Sequence, residues 1–391
     1  MMNFTFFTPT KLLFGRGKLN ELGQQKMPGK KALLLISCGK SVRTNGALDR
    51  TLGQLKQAGV PAAVFDRIME NPVKSVIMEG AAFARENHCD FLVALGGGAV
   101  LDASTAIAAM AANPGDLWDY VVGGTGKGMP LVNKPLPVVT IATTSGTGSE
   151  INCWGVISNP DTREKIGFGG TDDLCPVLSV VDPELMATVP AMYTAYQGFD
   201  ALFHNTEVMI SKGVNLLSET LALSAIEHIA RYLPQAVCKG DDLEAREHVA
   251  YGSTIAGMTM QLTSTTAEHS MEHAMSAFHP GLPHGAGLIM ISRAFYAFFI
   301  QKHACDKQFI KMARAMGIPD ADKPEDFLTA LTRLQQDCGV ADLKMSDYGI
   351  TPDEFLPLAV NARETMGGLF LANPCPMSDE ECAGIFREAY R

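Results

Sequence analysis

The sequence predicts two domains, an N-terminal α/β domain built on a parallel sheet and a C-terminal domain made only of helices. Up to about residue 185, short β-branched apolar runs alternate with helical stretches. Apolar runs that lack alternation and are separated by helices are typical of a parallel sheet covered on both faces. From about residue 190 the apolar runs lengthen and take helical periodicity, and 391 residues are enough for two substantial cores.

Individual segments justify each part of this fold. In the first half, five apolar runs predict buried strands, namely Ala32–Ile36, Ala62–Phe65, Phe91–Leu95, Leu136–Ile141 and Val177–Val181. Between them, helices are predicted at residues 46–58, 73–88 and 103–112. In the second half no strand is predicted, and the clearest helices are Val214–Leu233, Leu243–Leu262 and Phe327–Cys338. The segment Asp182–Pro190 lies between the halves, so the predicted domains are residues 1–186 and 187–391.

The composition of the chain excludes several classes of protein. Hydrophobic residues make up 47% and charged residues 19% of the chain, which is typical of a globular enzyme. The formal net charge of −10 argues against nucleic acid as a partner, because phosphate binding needs clustered Lys and Arg. No apolar run reaches the roughly 18 residues of a membrane span, and the N-terminus lacks the order of a secretory signal. Nine cysteines without a Cys-x-x-Cys spacing indicate reduced thiols and a cytoplasmic location.

Two loops rich in small residues follow predicted strands. Gly96-Gly97-Gly98 stands between a strand and an alanine-rich helix, where backbone N–H groups and the helix dipole can hold a phosphate. The loop matches neither Gly-x-Gly-x-x-Gly nor a Walker motif. The second loop, Thr143–Glu150, follows the strand at 136–141. Two such loops at the carboxyl ends of parallel strands predict a nucleotide site.

Metal-ligand candidates are concentrated in the second half. Asp200 and His204 are four residues apart, and so are His269 and His273. Residues with this spacing share one helix face, so each pair can present two ligands in one direction. A third imidazole, His284, follows in a Pro-His-Gly sequence. One carboxylate with several imidazoles suits a cation such as iron(II) or zinc rather than calcium or magnesium.

Taken together, these stretches resemble the iron-containing (group III) alcohol dehydrogenases. The resemblance covers essentially the whole chain, from Leu13–Gly17 through the two loops to His269–Gly285. It implies a dehydroquinate synthase-like fold, with an α/β dinucleotide-binding domain, an all-helical metal-binding domain and an active site in the cleft between them. It also implies a homodimer or larger homo-oligomer.

The resemblance assigns roles to particular residues. It implies Asp200, His204, His269 and His284 as metal ligands, with iron(II) expected and zinc(II) as the alternative. His273 matches a histidine near the metal and the nicotinamide, and we expect it either to relay the hydroxyl proton or to orient its neighbours. The cofactor residues implied for the pyrophosphate, the nicotinamide and the ribose are Gly97, Gly98, Asp102, Thr143, Thr144, Thr147 and Lys165.

The chain also departs from the family pattern. Ala99 stands where the glycine loop commonly has a serine, and Thr105 stands where it has a lysine, so one phosphate hydrogen bond is expected to be lost. His279 falls in a one-residue insertion and is expected to be a loop residue rather than a fifth ligand. Glu207, one turn beyond His204, fits either a contact to a ligand or a charge on the helix surface.

The expected function is an NAD(P)-linked alcohol dehydrogenase or aldehyde reductase acting on a small alcohol, aldehyde or diol. A zinc glycerol dehydrogenase or a dehydroquinate synthase-like lyase is the alternative within the same superfamily. A non-catalytic nucleotide-binding or metal-storage protein is the alternative from another class. Residues expected near the substrate are mostly apolar, namely Trp154, Phe168, Met258, Met260, Leu369 and Phe370.

The end of the first predicted strand bears on the choice of cofactor. An NAD-preferring enzyme usually places an acid there to bind the ribose 2′-hydroxyl. Here the strand ends in Ser37-Cys-Gly-Lys40-Ser41, without an acid and with one lysine. Ser37 and Ser41 can donate hydrogen bonds to a 2′-phosphate and Lys40 can neutralise it, so we expect NADP to be preferred over NAD.

Overall fold

A computed structural model describes residues 2–391 and divides the chain into two compact units. The α/β unit consists of residues 7–162 and 166–188. The helical unit consists of residues 189–391, together with the short segment Arg163–Lys165 and residues 2–6.

Eight strands lie in the first half of the chain. They are β1 (Lys11–Phe14), β2 (Ala32–Ser37), β3 (Ala62–Ile68), β4 (Phe91–Gly96), β5 (Val138–Ala142), β6 (Trp154–Asn159), β7 (Glu164–Gly169) and β8 (Leu178–Val181). Six of them form a sheet in the order β1-β8-β5-β4-β2-β3, and every pairing in it is parallel. This confirms the predicted parallel sheet. β6 and β7 pair separately with each other.

Three strands were not predicted, for two different reasons. β1 is a four-residue edge strand whose side chains are mostly exposed or half-buried, so its apolar run is too short to stand out. β6 alternates buried and more exposed residues, which is typical of a two-stranded ribbon with one face toward solvent. β7 is mostly buried, but its sequence Glu-Lys-Ile-Gly-Phe-Gly is not apolar throughout, so neither strand has the continuous apolar run that identified the buried strands of the main sheet.

The strand order reverses between β2 and β4. The chain passes from β2 outward to β3, and then returns to build β4, β5 and β8 on the other side of β2. In open α/β sheets, ligands bind in the crevice at such a reversal, outside the carboxyl ends of the strands. The residues that follow β2 and β4 therefore line the expected binding crevice of this unit.

Five helices complete the α/β unit, namely α1 (Ser41–Thr44), α2 (Ala47–Gln57), α3 (Lys74–Glu86), α4 (Gly98–Ala112) and α5 (Leu117–Tyr120). α4 starts five residues before the predicted helix, because the turn after β4 needs only Gly97, whose backbone is still extended. Residues 100–110 of α4 are all buried, since the helix packs against α3, β4 and the β6 strand. The glycine loop thus ends directly in a buried helix.

Nine helices form the second half, namely α6 (Ala191–Ile210), α7 (Leu216–Cys238), α8 (Leu243–Leu262), α9 (Ala267–Phe278), α10 (His284–Gln301), α11 (Asp306–Ala315), α12 (Glu325–Asp337), α13 (Phe355–Ala372) and α14 (Asp379–Ala389). Residues 189–391 contain no strand, which confirms the predicted all-helical part. α7 begins later than predicted because the Asn215 side chain caps it, and it continues past Pro234. Within residues 2–391, no helix has both the length and the apolar character needed to cross a membrane.

Candidate metal centre

Three helices of the helical unit present the predicted ligands to one another. α6 carries Asp200 and His204, α9 carries His269 and His273, and His284 is the first residue of α10. α10 approaches α6 closely because Gly285 has no side chain, since a Cβ there would lie 2.2 Å from the carbonyl oxygen of Tyr196. The glycine of the Pro-His-Gly sequence therefore allows His284 to reach Asp200.

The carboxylate of Asp200 is the centre of the cluster. Its Oδ1 atom lies 3.4 Å from Nε2 of His269 and 3.5 Å from Nε2 of His284. These three residues offer ligand atoms that all lie within 4.8 Å of one another, with Asp200 and His269 buried and His284 half-buried. Two imidazole nitrogens facing one carboxylate oxygen are a suitable set of ligands for a divalent transition metal.

His204 lies beside this set of three. Its ring stacks on the ring of His269, with centroids 4.2 Å apart, and its Nδ1 atom lies 3.3 Å from Asp200 Oδ1. That nitrogen is buried and has no partner in hydrogen-bonding geometry. Burial, and then the positive charge of His269, lower the pKa of His204 to about 3. A neutral buried imidazole with an unused nitrogen fits a metal ligand.

Two further carboxylates orient the imidazoles. His269 donates a hydrogen bond from Nδ1 to Glu207, and His284 donates one from Nδ1 to Glu272. Both glutamates are fully buried. Metal-binding histidines commonly donate their other ring N–H to a carboxylate, which leaves the second nitrogen free for the metal. Glu207 is therefore a buried contact to His269 and not a surface charge, and Glu272, which contacts His284, is a site residue that the sequence did not indicate.

The ionisation of the cluster favours a bound cation. Burial opposes a charge on Asp200, but the imidazoles of His204, His269 and His284 outweigh it and hold the pKa of Asp200 well below its usual range. Burial also opposes a charge on His269, but the carboxylate of Glu207 outweighs it and raises the pKa of His269 to about 10. The negative charges that hold a proton on His269 would equally hold a metal ion in its place.

His273 has different surroundings. Its Nδ1 atom lies 2.9 Å from Sδ of Met366, where the backbone of α13 departs from helical geometry. Burial, and then the positive charge of Lys165, hold the pKa of His273 well below its usual value. His273 shares a second set of neighbouring ligand atoms with Glu272 and His284, but it is not in the set centred on Asp200.

In the α/β unit, the two predicted loops contact each other. A Cβ on Gly97 would lie 2.9 Å from Cγ2 of Thr144, and a Cβ on Gly98 would lie 2.4 Å from Cγ2 of Thr147. Thr143 continues the adjacent strand, and its N–H donates to the carbonyl of Gly96. The loops therefore form one surface at the carboxyl ends of β4 and β5, and Gly97 and Gly98 are half-buried there.

The remaining predicted cofactor residues have varied positions. Ser37 ends β2 and Ser41 starts α1, so both lie beside the reversal in strand order. Asp102 is buried in α4 and accepts a hydrogen bond from the N–H of Val156 on β6. Lys165 belongs to the helical unit, where its Nζ atom lies near Glu272. Neither Asp102 nor Lys165 is a free side chain at the loop surface.

Other residues singled out in the sequence lie outside the cluster. His279 follows α9, and its Nε2 atom lies 3.1 Å from Oε1 of Glu354, as expected for a loop residue. Of the residues expected near the substrate, Phe168 and Phe370 are buried, and Phe370 packs in the helical core. Trp154 is 43% exposed, and Met258, Met260 and Leu369 are half-buried. All nine cysteines are free thiols.

Comparison with known families identifies the chain. Residues 9–183 match the family described as "Iron-containing alcohol dehydrogenase", and residues 194–390 match "Fe-containing alcohol dehydrogenase family, C-terminal". The chain belongs to the iron-containing alcohol dehydrogenase family. This iron-containing alcohol dehydrogenase is accordingly an oxidoreductase, as the resemblance implied.

Relatives and solved structures agree with this assignment. The chain is 34% identical to 1,3-propanediol dehydrogenase of Klebsiella pneumoniae, covering 99% of each chain. It is 31% identical to the NAD-dependent methanol dehydrogenase of Bacillus methanolicus, covering 98% of this chain and 99% of that one. An archaeal alcohol dehydrogenase from a Red Sea brine pool superposes with a TM-score of 0.93 at 31% identity, covering 100% and 99% of the two chains.

Proposed function

We propose that this enzyme interconverts a small primary alcohol or diol and its aldehyde, using NAD(P) and one iron(II) ion. The observation that carries the proposal is the cluster of buried Asp200 and His269 with half-buried His284, in which each imidazole is oriented by its own glutamate. Relatives named as propanediol and methanol dehydrogenases support a small alcohol as substrate.

Asp200, His204, His269 and His284 would hold the metal. When bound, a divalent metal there supplies a Lewis acid that lowers the pKa of an alcohol or polarises a carbonyl. The side chains would hold the metal in place, because the Nδ1 atoms of His269 and His284 already donate to carboxylates and leave Nε2 for the metal. The chemistry of the ligands allows iron(II) or zinc(II), and we propose iron(II) from the family assignment.

His273 would take up and release the proton of the substrate hydroxyl. The thioether of Met366 can only accept a hydrogen bond, so contact with it places the proton of a neutral His273 on Nδ1. The Nε2 atom is then the acceptor for a proton. Burial and the positive charge of Lys165 lower the pKa of His273, so it is neutral near neutral pH and its Nε2 atom can accept a hydrogen bond from the substrate hydroxyl.

The cofactor would bind at the reversal in strand order of the α/β unit. We assign the pyrophosphate to the backbone of Gly97 and Gly98 at the start of α4. Thr143, Thr144 and Thr147, which contact or adjoin that loop, are assigned to the nicotinamide half. The nicotinamide supplies the hydride chemistry when bound. Asp102, which accepts a hydrogen bond from the backbone of β6, would anchor the start of α4 and so the glycine loop that precedes it.

For the adenosine ribose we propose Ser37, Lys40 and Ser41, with NADP preferred. Lys40 and Ser41 are exposed and Ser37 is half-buried, and no acid ends β2. The methanol dehydrogenase relative is named as NAD-dependent, so its preference differs from the one proposed here. A 2′-phosphate would gain two hydroxyl donors and one positive charge from this segment.

The test is reduction of NAD and NADP with a series of short primary alcohols and diols, using protein stripped of metal and reloaded. We expect turnover with iron(II) and little with zinc(II). Equal activity with zinc(II), highest on glycerol, would favour the zinc glycerol dehydrogenase alternative. No turnover in either direction with any alcohol or aldehyde would contradict the proposal and favour a non-catalytic binding protein.

A further inference from the structure

Lys165 lies next to the metal cluster and is almost completely buried. Its Nζ atom lies 3.1 Å from Oγ of Ser276 and 3.4 Å from Oε2 of Glu272, and its side chain is only 7% exposed. Both partners are on α9, the helix that also carries His269. The resemblance implied that this lysine reaches the cofactor ribose, but here its ammonium group is directed at a glutamate.

Glu272 needs a positive partner because it is fully buried. A buried carboxylate is costly unless it is paired and hydrogen-bonded. One of its oxygens accepts from Nδ1 of His284 and the other accepts from Oγ of Ser276. Lys165 adds a full positive charge to this pair of donors. The carboxylate that orients His284 is therefore itself held by Lys165.

The same contacts indicate whether Glu272 orients His284 or binds a second cation. Glu272, His273 and His284 offer ligand atoms within 4.8 Å of one another, which is also the geometry of a second cation site. The ammonium group of Lys165 already lies 3.4 Å from Glu272. A divalent ion added there would be repelled by that ammonium group and would compete with His284 for the carboxylate. Glu272 is therefore better explained as a contact to His284 than as a ligand.

We propose that Lys165 is a positioning residue for the metal centre and acts on His284 through Glu272. Its ammonium group holds the carboxylate of Glu272 in place, so that Glu272 accepts from Nδ1 of His284 and directs Nε2 toward Asp200. This inference rests on the proposed metal site. It assigns Lys165 a role in holding the metal, which is separate from any role in holding the cofactor.

The test is titration of full-length, metal-free protein with cobalt(II), whose visible spectrum reports ligand geometry. Lys165→Met and Glu272→Gln should each weaken cobalt(II) binding by about 10- to 100-fold and change the spectrum. The double variant should lose little more than either single variant, because the two residues act in one chain of contacts. Lys165→Arg, which keeps the charge, should recover part of the affinity.

Lys302→Met is the matched control, because Lys302 pairs with Glu381 on the surface of the same unit and should not affect cobalt(II) binding. Lys165→Met with wild-type affinity and spectrum would overturn the proposal, even if its KM for NAD(P) rose. If Lys165→Met failed to fold, wild-type binding by Glu272→Gln would overturn the proposal equally. Wild-type protein that bound no cobalt(II) would overturn the proposed metal site, and this inference with it.

Discussion

His269 donates a hydrogen bond from Nδ1 to the carboxylate of Glu207, which lies one helical turn beyond His204 on α6. The other oxygen of Glu207 accepts from both the N–H and the hydroxyl of Thr266 at 2.8 Å, just before α9 begins. One buried carboxylate therefore fixes the start of α9 and the orientation of its first histidine. This arrangement determines that Nε2 of His269 faces Asp200.

Replacing Glu207 with glutamine should weaken metal binding without unfolding the protein. The amide oxygen can still accept from His269, but the amide NH2 group then faces the N–H of Thr266, and the negative charge that favours a cation is lost. We expect the metal affinity to fall about tenfold, at the low end of the range for residues that orient ligands. Competition with a chromophoric chelator measures the change. Glu364→Gln, an exposed position on α13, is the control, and equal affinities of the two variants would contradict the role of Glu207.

Changes at His273 should separate proton transfer from metal binding. His273→Ala should keep the metal but lower kcat by about 100-fold, the low end for a general acid–base group. Met366→Leu removes the acceptor of Nδ1 at similar volume and should lower kcat less, with KM little changed. Met366→Gln, which restores an acceptor, should recover part of the rate. Metal analysis measures whether each variant keeps its metal, and steady-state kinetics measure kcat and KM. Loss of metal from His273→Ala would show that His273 is a metal ligand instead.

The fold followed from the sequence wherever a pattern extended over many residues. Continuous apolar runs identified β2, β3, β4, β5 and β8, and the change to helical periodicity identified the second half. Spacing of four residues also grouped Asp200 with His204, and His269 with His273, because each pair lies on one helix. These features are local, so a single sequence contains them.

The contacts that complete the site are not local. Glu272 accepts a hydrogen bond from His284 across the bend between α9 and α10, although it is closer in sequence to His269 and His273. Lys165 is 107 residues from Glu272, and Met366 is 93 residues from His273. Met366 reaches His273 where α13 departs from helical geometry, which its apolar sequence does not indicate. Such pairings depend on tertiary packing, and sequence spacing carries no signal for them.

The cofactor preference can be tested at the end of β2. Ser37→Asp introduces the acid that NAD-preferring enzymes place beside the ribose, which would bind the 2′-hydroxyl and repel a 2′-phosphate. We expect the ratio of kcat/KM for NADP to that for NAD to exceed one in the wild type and to fall at least tenfold in the variant, about 1.4 kcal/mol of discrimination. A wild type that prefers NAD, or a ratio that does not move, would show that this segment is not the discriminator.

The central claim is that Asp200, His204, His269 and His284 hold one divalent metal ion. The most direct test is the metal content of anaerobically purified wild type and His269→Ala, measured by plasma mass spectrometry, with circular dichroism to show that both are folded. The claim predicts about one iron per chain in the wild type, as expected for a single set of four ligands, and little metal in the variant. Full metal content in folded His269→Ala would contradict it.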